Sequence, residues 1–354
     1  MNTENPSGDL IFYEQDQFEN LQRFLAESDY SSFFILMDQN TENYCKQLIF
    51  SFFPNKKTHH YTVPEGESSK DIKIAQAIWS KMTQLKLDRK ALMVNLGGGV
   101  ISDLGGFTAS LYKRGIDFIH LPSSLLGMVD AAIGGKCGID FQFYKNQIGL
   151  FNFAKGIFIY PGFLKTLPEK EIKSGLVELI KHALIADQLL FQQIKDDLNR
   201  GVLWNDKVIR KAAKIKSQMV QFDPLDQGDR KKLNFGHSIG HAIETYFYEK
   251  NQSIPHGYAV GMGIICESFI STQINGFSKS DLIQIVDLFK THFQWPKLPK
   301  DAFPEILHLL KNDKKRMKDE HRFILLKEIG KAEIDQPASD VNIVESLAYY
   351  NQIR

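Results

Sequence analysis

The first half of the chain alternates short apolar runs with longer amphipathic stretches. The runs are rich in Ile, Leu, Phe and Val and lie at residues 33–38, 91–96, 117–121 and 156–160. Short runs separated by stretches of helical spacing are typical of βαβ units, whose strands join one mostly parallel sheet. The pattern therefore predicts an α/β region that extends to about residue 165.

The second half has a different period. Apolar residues recur three and four positions apart at residues 171–194 and 256–274, and β-branched runs are few. This spacing places the apolar residues on one face of a helix, so the pattern predicts a mainly α-helical region. Pro161 lies where one pattern gives way to the other. We therefore predict two domains, 1–165 and 166–354.

Composition and charge narrow the classes of function. The chain of 354 residues has 43 Lys plus Arg against 42 Asp plus Glu, a net charge of +1. This balance gives no electrostatic basis for binding nucleic acid or an anionic membrane. No stretch has the roughly 18 consecutive apolar residues that span a bilayer, and no secretory signal is recognisable at the start. The three cysteines are far apart and outside metal-binding spacing, which favours free thiols and a cytoplasmic location.

A glycine-rich turn follows the apolar run that ends at residue 96. Gly97, Gly98 and Gly99 are consecutive, and Asp103 lies in the helical pattern after them. Such glycines let backbone amides approach a pyrophosphate closely, and the next helix N-terminus adds partial positive charge. The turn predicts a dinucleotide site. It is not a GxGxxG motif, and a tight strand-to-helix turn without a ligand remains an alternative.

A second segment places Asp130, Lys136 and Lys145 among glycines and small apolar residues. Lysines beside glycines are typical of contacts to phosphate or an oxyanion. The alternative, that these lysines are solvated surface charges, is the commoner situation for a lysine.

A candidate metal site lies in the helical half. Glu178 occurs within a strongly apolar helical pattern, where a carboxylate needs a partner. One glutamate and two histidines are a common set for catalytic zinc, with a coordination position left for water or substrate. His237, which follows a glycine at a helix start, and His256 complete such a set. His241 lies on the same helix face as His237, so a clamp formed by both histidines remains open.

These segments belong to a larger series of ordered motifs. The series consists of PEGESSK (64–70), GGGVISDLGGFTASLYKRG (97–115), PSSLLGMVDAAIGGKCGID (122–140), KNQIGLF (145–151), LKTLP (164–168), SGLVELIKHALIAD (174–187), RKKLNFGHSIGHAIE (230–244) and HGYAVGMG (256–263). From about residue 35 to about residue 330, the chain resembles the 3-dehydroquinate synthase family of the sugar phosphate cyclase superfamily. The resemblance implies an N-terminal Rossmann-like domain that binds NAD and an all-α C-terminal domain that binds one divalent metal, Zn2+ or Co2+. It also implies a substrate site in the cleft between them.

The resemblance implies the functional residues one by one. The NAD contacts are Asp38, Asn40, Glu67, Lys70, Gly97, Gly98, Gly99, Asp103, Ser123, Ser124, Lys145 and Thr166. The metal ligands are Glu178, His237 and His256. The substrate and catalytic residues are Arg114, Asp130, Lys136, Asn146, Lys181, Lys216, Arg230, Asn234 and His241, with Lys314 or Lys315 near the phosphate. The serine pair replaces the two threonines usual in the family and keeps both hydroxyls.

The resemblance also implies an activity, conversion of 3-deoxy-arabino-heptulosonate 7-phosphate into 3-dehydroquinate and phosphate. The family passes through transient oxidation by NAD, phosphate elimination, reduction and aldol closure. It implies a homodimer, in which Arg114 reaches the neighbouring subunit's site, and a role for His241 near the substrate. The stretch DPLDQGDR departs from the family pattern, because Pro224 replaces an acid and Asp226 stands where a glutamate is usual.

Other functions remain as alternatives. A valiolone-type or deoxy-inosose-type cyclase would share the fold, NAD and the metal, but the retained Asn146, Lys216, Arg230 and Asn234 favour dehydroquinate formation. A metal-dependent polyol dehydrogenase would have a neutral substrate, which does not need so many cations. A binding protein that has lost catalysis is the third alternative.

Overall fold

The computed structural model of the protein describes residues 10–53, 57–142, 144–252, 254–311 and 321–353. The chain divides into two compact units, Met1–Ile172 with Lys216–Leu225 and Lys173–Ile215 with Asp226–Arg354. The domain limits predicted from the sequence, with a change after residue 165, stay a prediction. Lys314 and Lys315, which the resemblance places near the phosphate, lie outside the described residues.

A parallel sheet forms the centre of the first unit. The strands of this unit are β1 (Ile11–Tyr13), β2 (Ser32–Asp38), β3 (Thr58–Val63), β4 (Ala91–Gly97), β5 (Asp117–Pro122), β6 (Lys136–Phe141), β7 (Tyr144–Phe151) and β8 (Ile157–Ile159). Six of them form the sheet in the order β1-β8-β5-β4-β2-β3, and all of its pairings are parallel. β6 and β7 form a separate antiparallel hairpin. The α/β prediction, with its four strands, is confirmed.

The helices that lie entirely in the first unit are α1 (Glu19–Glu27), α2 (Gln39–Tyr44), α3 (Lys46–Phe50), α4 (Ile72–Gln84) and α5 (Gly99–Leu111). One of them, α5, packs closely on this sheet. A Cβ at Gly105 of α5 would lie 1.9 Å from Asn95 Oδ1, and one at Gly106 would lie 2.3 Å from Cys137 Sγ. Only glycine therefore allows α5 to lie so close to β4 and β6. This contact fixes the N-terminus of α5, where the glycine turn lies.

The second half of the chain is helical, as predicted, with one correction. Its helices are α6 (Glu169–Ala186), α7 (Gln188–Asn199), α8 (Asp206–Phe222), α9 (His237–Glu249), α10 (His256–Ile274), α11 (Lys279–His292), α12 (Ala302–Lys311) and α13 (Asp340–Ile353). The all-α expectation is wrong in one place, since β9 (His321–Glu328) and β10 (Lys331–Ala338) form an antiparallel hairpin. Its turn contains Gly330, whose φ of 91° favours glycine. Among the described residues, no helix is both long and apolar enough to cross a membrane.

A buried polar pair lies in the middle of the sheet. His120 of β5 is directly opposite Asn95 of β4, and the Nδ2 atom of Asn95 is 3.2 Å from the Nδ1 atom of His120. Burial lowers the pKa of His120 to about 3. In the unfolded chain the pKa of a histidine is about 6.5, so the unfolded state binds more protons below that pH. The free energy of unfolding should therefore fall as the pH falls from about 6.5 towards 3.

We expect His120→Asn to weaken this acid dependence. At pH 5 the unfolded wild-type chain takes up a proton at His120, which should lower the free energy of unfolding by about 2 kcal/mol. The variant has no imidazole at this position, so it should lack this decrease. The measurement is the urea midpoint at pH 7 and pH 5 in a Trp204→Phe, Trp295→Phe background, where Trp79 reports on the first unit. Parallel pH dependence of the two proteins would contradict the assignment.

Candidate active site

The predicted metal ligands of the second unit lie together. The Nε2 atoms of His237 and His256 are each 3.5 Å from Oε1 of Glu178. Their imidazole centroids are 5.5 Å apart, and the ring of His241 lies 5.2 Å and 5.6 Å from those of His237 and His256. The structure therefore brings four candidate ligands to one place on α6, α9 and α10.

A close contact between α6 and α10 explains this proximity. A Cβ at Gly257 would lie 2.1 Å from the carbonyl oxygen of Ser174, so a side chain there would separate the two helices. The amide of Gly257 also donates to Ser174 Oγ at 3.1 Å. Ser174 is one turn before Glu178, and Gly257 follows His256 directly. The glycine therefore lets His256 approach Glu178.

The other nitrogen of each imidazole has a partner that orients the ring. His237 Nδ1 is 3.2 Å from the carbonyl oxygen of Phe235, and His256 Nδ1 is 3.2 Å from Oε2 of Glu244. A carbonyl or carboxylate at Nδ1 favours the tautomer with hydrogen on that nitrogen and leaves the Nε2 lone pair for a metal ion. Both Nε2 atoms face Glu178 Oε1, as a shared ion requires.

Glu178 divides its two oxygens between two kinds of partner. The side chain is fully buried, and Oε2 lies 2.6 Å from the ammonium nitrogen of Lys181, itself 1% exposed. Oε1 is the oxygen near the two histidines. The lysine one turn further along α6 therefore holds the carboxylate in the orientation that presents Oε1 to the imidazoles.

The electrostatics of this cluster favour a cation. Burial and the nearby ammonium of Lys181 hold the pKa of His237 well below its ordinary value, so this imidazole is neutral, as a metal ligand must be. Burial also lowers the pKa of His256, but hydrogen bonds to Glu178 and Glu244 outweigh it and raise this pKa to about 10. The two carboxylates thus stabilise positive charge at His256, in the position where an ion would supply it.

The distances fit a tetrahedral ion. With metal–ligand bonds of about 2.1 Å, two ligands of a tetrahedral site lie roughly 3.4 Å apart. The two distances of 3.5 Å from Glu178 Oε1 agree with this value. The ligand atoms of His237, His241 and His256 also lie within 4.8 Å of one another, so His241 is near enough to contribute. The residues present therefore fit a divalent metal.

The glycine turn of the first unit connects β4 directly to α5. Gly97 ends β4, Gly98 caps α5 and Gly99 begins it. A Cβ at Gly98 would lie 3.2 Å from Ser124 Oγ, and one at Gly99 would lie 2.9 Å from the Cβ of Ala131. The Ser123 amide donates to the carbonyl oxygen of Gly97 at 2.9 Å. The predicted serine pair thus lies beside the turn, at the carboxyl end of two neighbouring strands.

Lys70 is the centre of a polar cluster in the same unit. Its side chain is 4% exposed, and Nζ lies 2.8 Å from Oδ2 of Asp103 and 2.5 Å from Oδ1 of Asn146. Glu67 and Asp140 contribute carboxylate oxygens at 3.8 and 3.9 Å. Burial disfavours the charged ammonium, but the carboxylates outweigh it and raise the pKa of Lys70. The cluster therefore brings Lys70 and Asp103, which are predicted to contact NAD, together with Asn146, which is predicted to contact the substrate.

A salt bridge connects two more of the predicted substrate residues, Lys216 and Asp130. Lys216 Nζ lies 2.5 Å from Oδ1 of Asp130 and 2.6 Å from its carbonyl oxygen. Asp130 belongs to a single π-turn, Gly127–Ala131, and such turns are frequent at functional sites. Lys136 is exposed at the start of β6. These residues come from separate segments of the chain but belong to the same unit.

Arg114 lies in a strained loop. Lys113 and Arg114 have φ values of 50° and 69°, and Gly115 follows with 108°. Left-handed backbone in consecutive residues other than glycine costs free energy, and such strain is concentrated at functional sites. The exposed Arg114 therefore lies at a strained point of the backbone between α5 and β5.

The remaining predicted residues lie at the ends of elements. Asp38 ends β2 and caps α2 through the Thr41 amide at 2.8 Å. Asn40 is exposed in α2. Lys145 Nζ is 3.7 Å from a carboxylate oxygen of Glu67, and Thr166 ends a 3-10 turn, Pro161–Thr166.

Two predicted residues of the second unit lie just before α9. Arg230 is 1% exposed in the 3-10 segment Asp229–Asn234, which leads into this helix. Asn234, the last residue of that segment, precedes His237 by three positions.

Two further residues of the site were missed in the sequence. Glu244 orients His256, and its spacing from His241 on one helix face is a signal that could have found it. Asp140 accepts a hydrogen bond from the Asn146 amide at 2.8 Å and so holds that residue at its φ of 50°. No local pattern indicates this second contact, because it depends on how β6 pairs with β7.

The fold defines a class of proteins whose chain combines an α/β unit, built on a parallel sheet, with a mainly helical unit. Solved structures of that class resemble this chain. A 2-deoxy-scyllo-inosose synthase complexed with carbaglucose-6-phosphate, NAD+ and Co2+ has a TM-score of 0.85 at 22% identity over 95% of both chains. A 2-epi-5-epi-valiolone synthase from Streptomyces hygroscopicus with NAD+ and Zn2+ has a TM-score of 0.86 at 22% identity over 97% of both. A probable glycerol dehydrogenase from Sinorhizobium meliloti is more distant, with a TM-score of 0.67 at 9% identity over 98% of both chains.

Sequence comparison is more specific. Residues 60–174 match the family model for the 3-dehydroquinate synthase N-terminal domain, and residues 175–316 match that for the C-terminal domain. The 3-dehydroquinate synthase of Parabacteroides distasonis is 36% identical over 344 residues, 96% of each chain. That of Pyrococcus furiosus is 37% identical over 290 residues, 81% of this chain and 84% of the relative. The chain belongs to the 3-dehydroquinate synthase family.

Proposed function

We propose that the chain converts 3-deoxy-arabino-heptulosonate 7-phosphate into 3-dehydroquinate and phosphate, with NAD and one divalent metal ion bound. The observation that carries the metal assignment is the pair of 3.5 Å distances from Glu178 Oε1 to two imidazole nitrogens whose Nδ1 atoms already have partners. When bound, NAD supplies a hydride acceptor and the ion supplies Lewis acidity towards substrate oxygens.

Glu178, His237 and His256 would hold the ion, and His241 would act on the substrate. His241 is the exposed member of the histidine cluster, and histidine is the side chain that most often transfers protons in general acid–base catalysis. An ion with three protein ligands retains positions for substrate hydroxyls. On one helix, His237 would therefore bind the ion and His241 would act on the substrate.

NAD would bind at the glycine turn of the first unit. The amides of Gly98 and Gly99 begin α5, where the partial positive charge of the helix favours a pyrophosphate. Asp38 lies at the end of a neighbouring strand, where carboxylates of this fold meet ribose hydroxyls. Lys145 and Lys70 add cations on the same unit.

The substrate carries a phosphate and a carboxylate, and the proposed residues match this charge. Lys136, Lys181, Lys216 and Arg230 are cations, although the whole chain has a net charge of only +1. Three of the four, all except Lys136, are buried, which strengthens their interaction with anions. A polyol dehydrogenase has no need of such a set.

Arg114 supports the proposal of a homodimer. Arg114 is an exposed cation in a loop with strained backbone at two consecutive residues, and such strain is concentrated at functional sites. A neighbouring subunit's substrate phosphate would be an appropriate partner for a guanidinium group.

Incubation of the protein with the heptulosonate phosphate, catalytic NAD and Zn2+ or Co2+ tests the proposed function. We expect phosphate and dehydroquinate to appear in equal amounts, without net NADH, because the hydride is returned in each turnover. Phosphate assay, chromatography and absorbance at the NADH band measure the three quantities. Steady accumulation of NADH would point to a dehydrogenase, and a different cyclic product would point to another cyclase.

A further inference from the structure

Glu267 is a carboxylate in the interior of α10. Its side chain is fully buried, and its helix neighbours are almost all apolar or small. A buried carboxylate costs several kcal/mol unless hydrogen bonds or charges compensate it. Here the oxygens accept hydrogen bonds from two backbone amides, Gly236 at 2.7 Å and Ile239 at 3.3 Å.

Both amides belong to the N-terminus of α9. The first amides of a helix have no partner within it and carry partial positive charge, so a side chain of the preceding residue usually caps them. That residue is Gly236, which has no side chain and a φ of 78°. A Cβ there would lie 2.5 Å from Ile264 Cγ1, so no other residue fits. The cap therefore comes from a different helix.

The two helices also touch through their backbones. A Cβ at Gly263 would lie 1.9 Å from the Gly236 carbonyl oxygen, and one at Gly240 would lie 2.9 Å from the Ala259 carbonyl oxygen. These glycines set how closely α9 and α10 approach. Backbone contacts between glycines leave one helix free to slide or turn against the other. The two directional hydrogen bonds of Glu267 oppose this movement at the turn that holds His237.

We propose that Glu267 is a positioning residue for the metal site, with its carboxylate fixing the first turn of α9 so that His237 stays aligned with His256. His256 is the first residue of α10, and Glu267 lies on the same helix, so one rigid element carries one ligand and sets the position of the other. The inference rests on the proposed metal-binding function. It assigns a role to a residue that touches neither substrate nor ion.

Glu267→Gln is the appropriate test, because it keeps the size of the side chain but replaces one acceptor oxygen by a donor. We expect Co2+ affinity, measured by competition with a chelator, to fall by about 10–100-fold. The visible absorption spectrum of bound Co2+ should change, and the Gly236 and Ile239 amides should exchange faster with deuterium in the metal-free protein. Glu267→Asp keeps the charge and should retain more affinity than Glu267→Gln.

Asp197→Asn is the matched control. Asp197 is another buried carboxylate of the second unit, on α7, and its oxygens accept from Arg200 and Asn205. We expect its substitution to lower stability but to leave the Co2+ affinity and spectrum as in the wild type. If the glutamine variant does not fold, comparison of Glu267→Asp with Asp197→Asn decides the question.

The outcomes separate the two proposals. Wild-type protein that binds no stoichiometric Co2+ would refute the metal site and with it the positioning role. Wild-type protein that binds Co2+, together with a folded Glu267→Gln variant of equal affinity and unchanged spectrum, would refute the positioning role alone. A control variant that loses metal as strongly as Glu267→Gln would reduce the role of Glu267 to general stability.

Discussion

His237→Ala should release the divalent ion and lower turnover by about 10^3-fold or more, since the ion supplies several kcal/mol of transition-state stabilisation. The physical reason is the geometry of the ligand set, in which Glu178 Oε1 lies 3.5 Å from His237 Nε2. Elemental analysis of dialysed protein measures the metal, and phosphate release measures turnover. Glu178→Ala and His256→Ala should have the same result.

Glu178→Ala needs a control of its own, because it leaves Lys181 as a buried cation whose nearest carboxylate has gone. Breaking a buried ion pair in this way destabilises a protein by roughly 3–5 kcal/mol. Glu178→Gln also removes the charge, but it keeps the shape and an amide oxygen that can accept a hydrogen bond from Lys181. This variant should therefore lose the metal while remaining folded by circular dichroism. Stoichiometric zinc in any of these variants would remove that residue from the ligand set.

His241→Ala should give the second large effect, with a different signature. We expect this variant to keep its metal but to lose turnover by about 10^2–10^4-fold, the usual contribution of a group that transfers a proton. The exposed imidazole lies 5.2 Å, centroid to centroid, from that of His237, so the two variants change neighbouring rings on one helix. The metal content and the pH dependence of turnover are the measurements.

Comparison of the two histidine variants decides which imidazole binds the metal ion. Equal loss of metal from His237→Ala and His241→Ala would mean that both rings clamp the ion. Retention of metal only in His241→Ala would separate a ligand from a residue that acts on the substrate.

The sequence predicted those features of the fold that depend on local spacing. The four predicted strands appear as β2, β4, β5 and β8, because buried parallel strands are continuous apolar runs. Glu178 was recognised because a charge within an apolar helix must have a partner. Glu267 has the same signal, and its role went unnoticed because its partners are backbone amides rather than a residue type visible in the sequence.

The remaining features depend on contacts between distant segments. Lys70 meets Asn146 from 76 positions away, and Lys216 meets Asp130 from 86 positions away. Nothing in the amphipathic pattern of α8 indicates that Lys216 packs with the first unit. The hairpin of β9 and β10 was missed for another reason, since a short apolar run such as residues 323–326 fits a strand or a buried helix equally well.

The position of Lys216 also decides how this chain can be divided. A fragment that ended at residue 172 would contain the whole parallel sheet but would lack Lys216–Leu225, which belong to the same unit. Asp130 would then lose the ammonium group that lies 2.5 Å from its carboxylate. Fragment complementation should therefore require a peptide that covers the end of α8, and gene fusions or split reporters should avoid residue 172 as a junction.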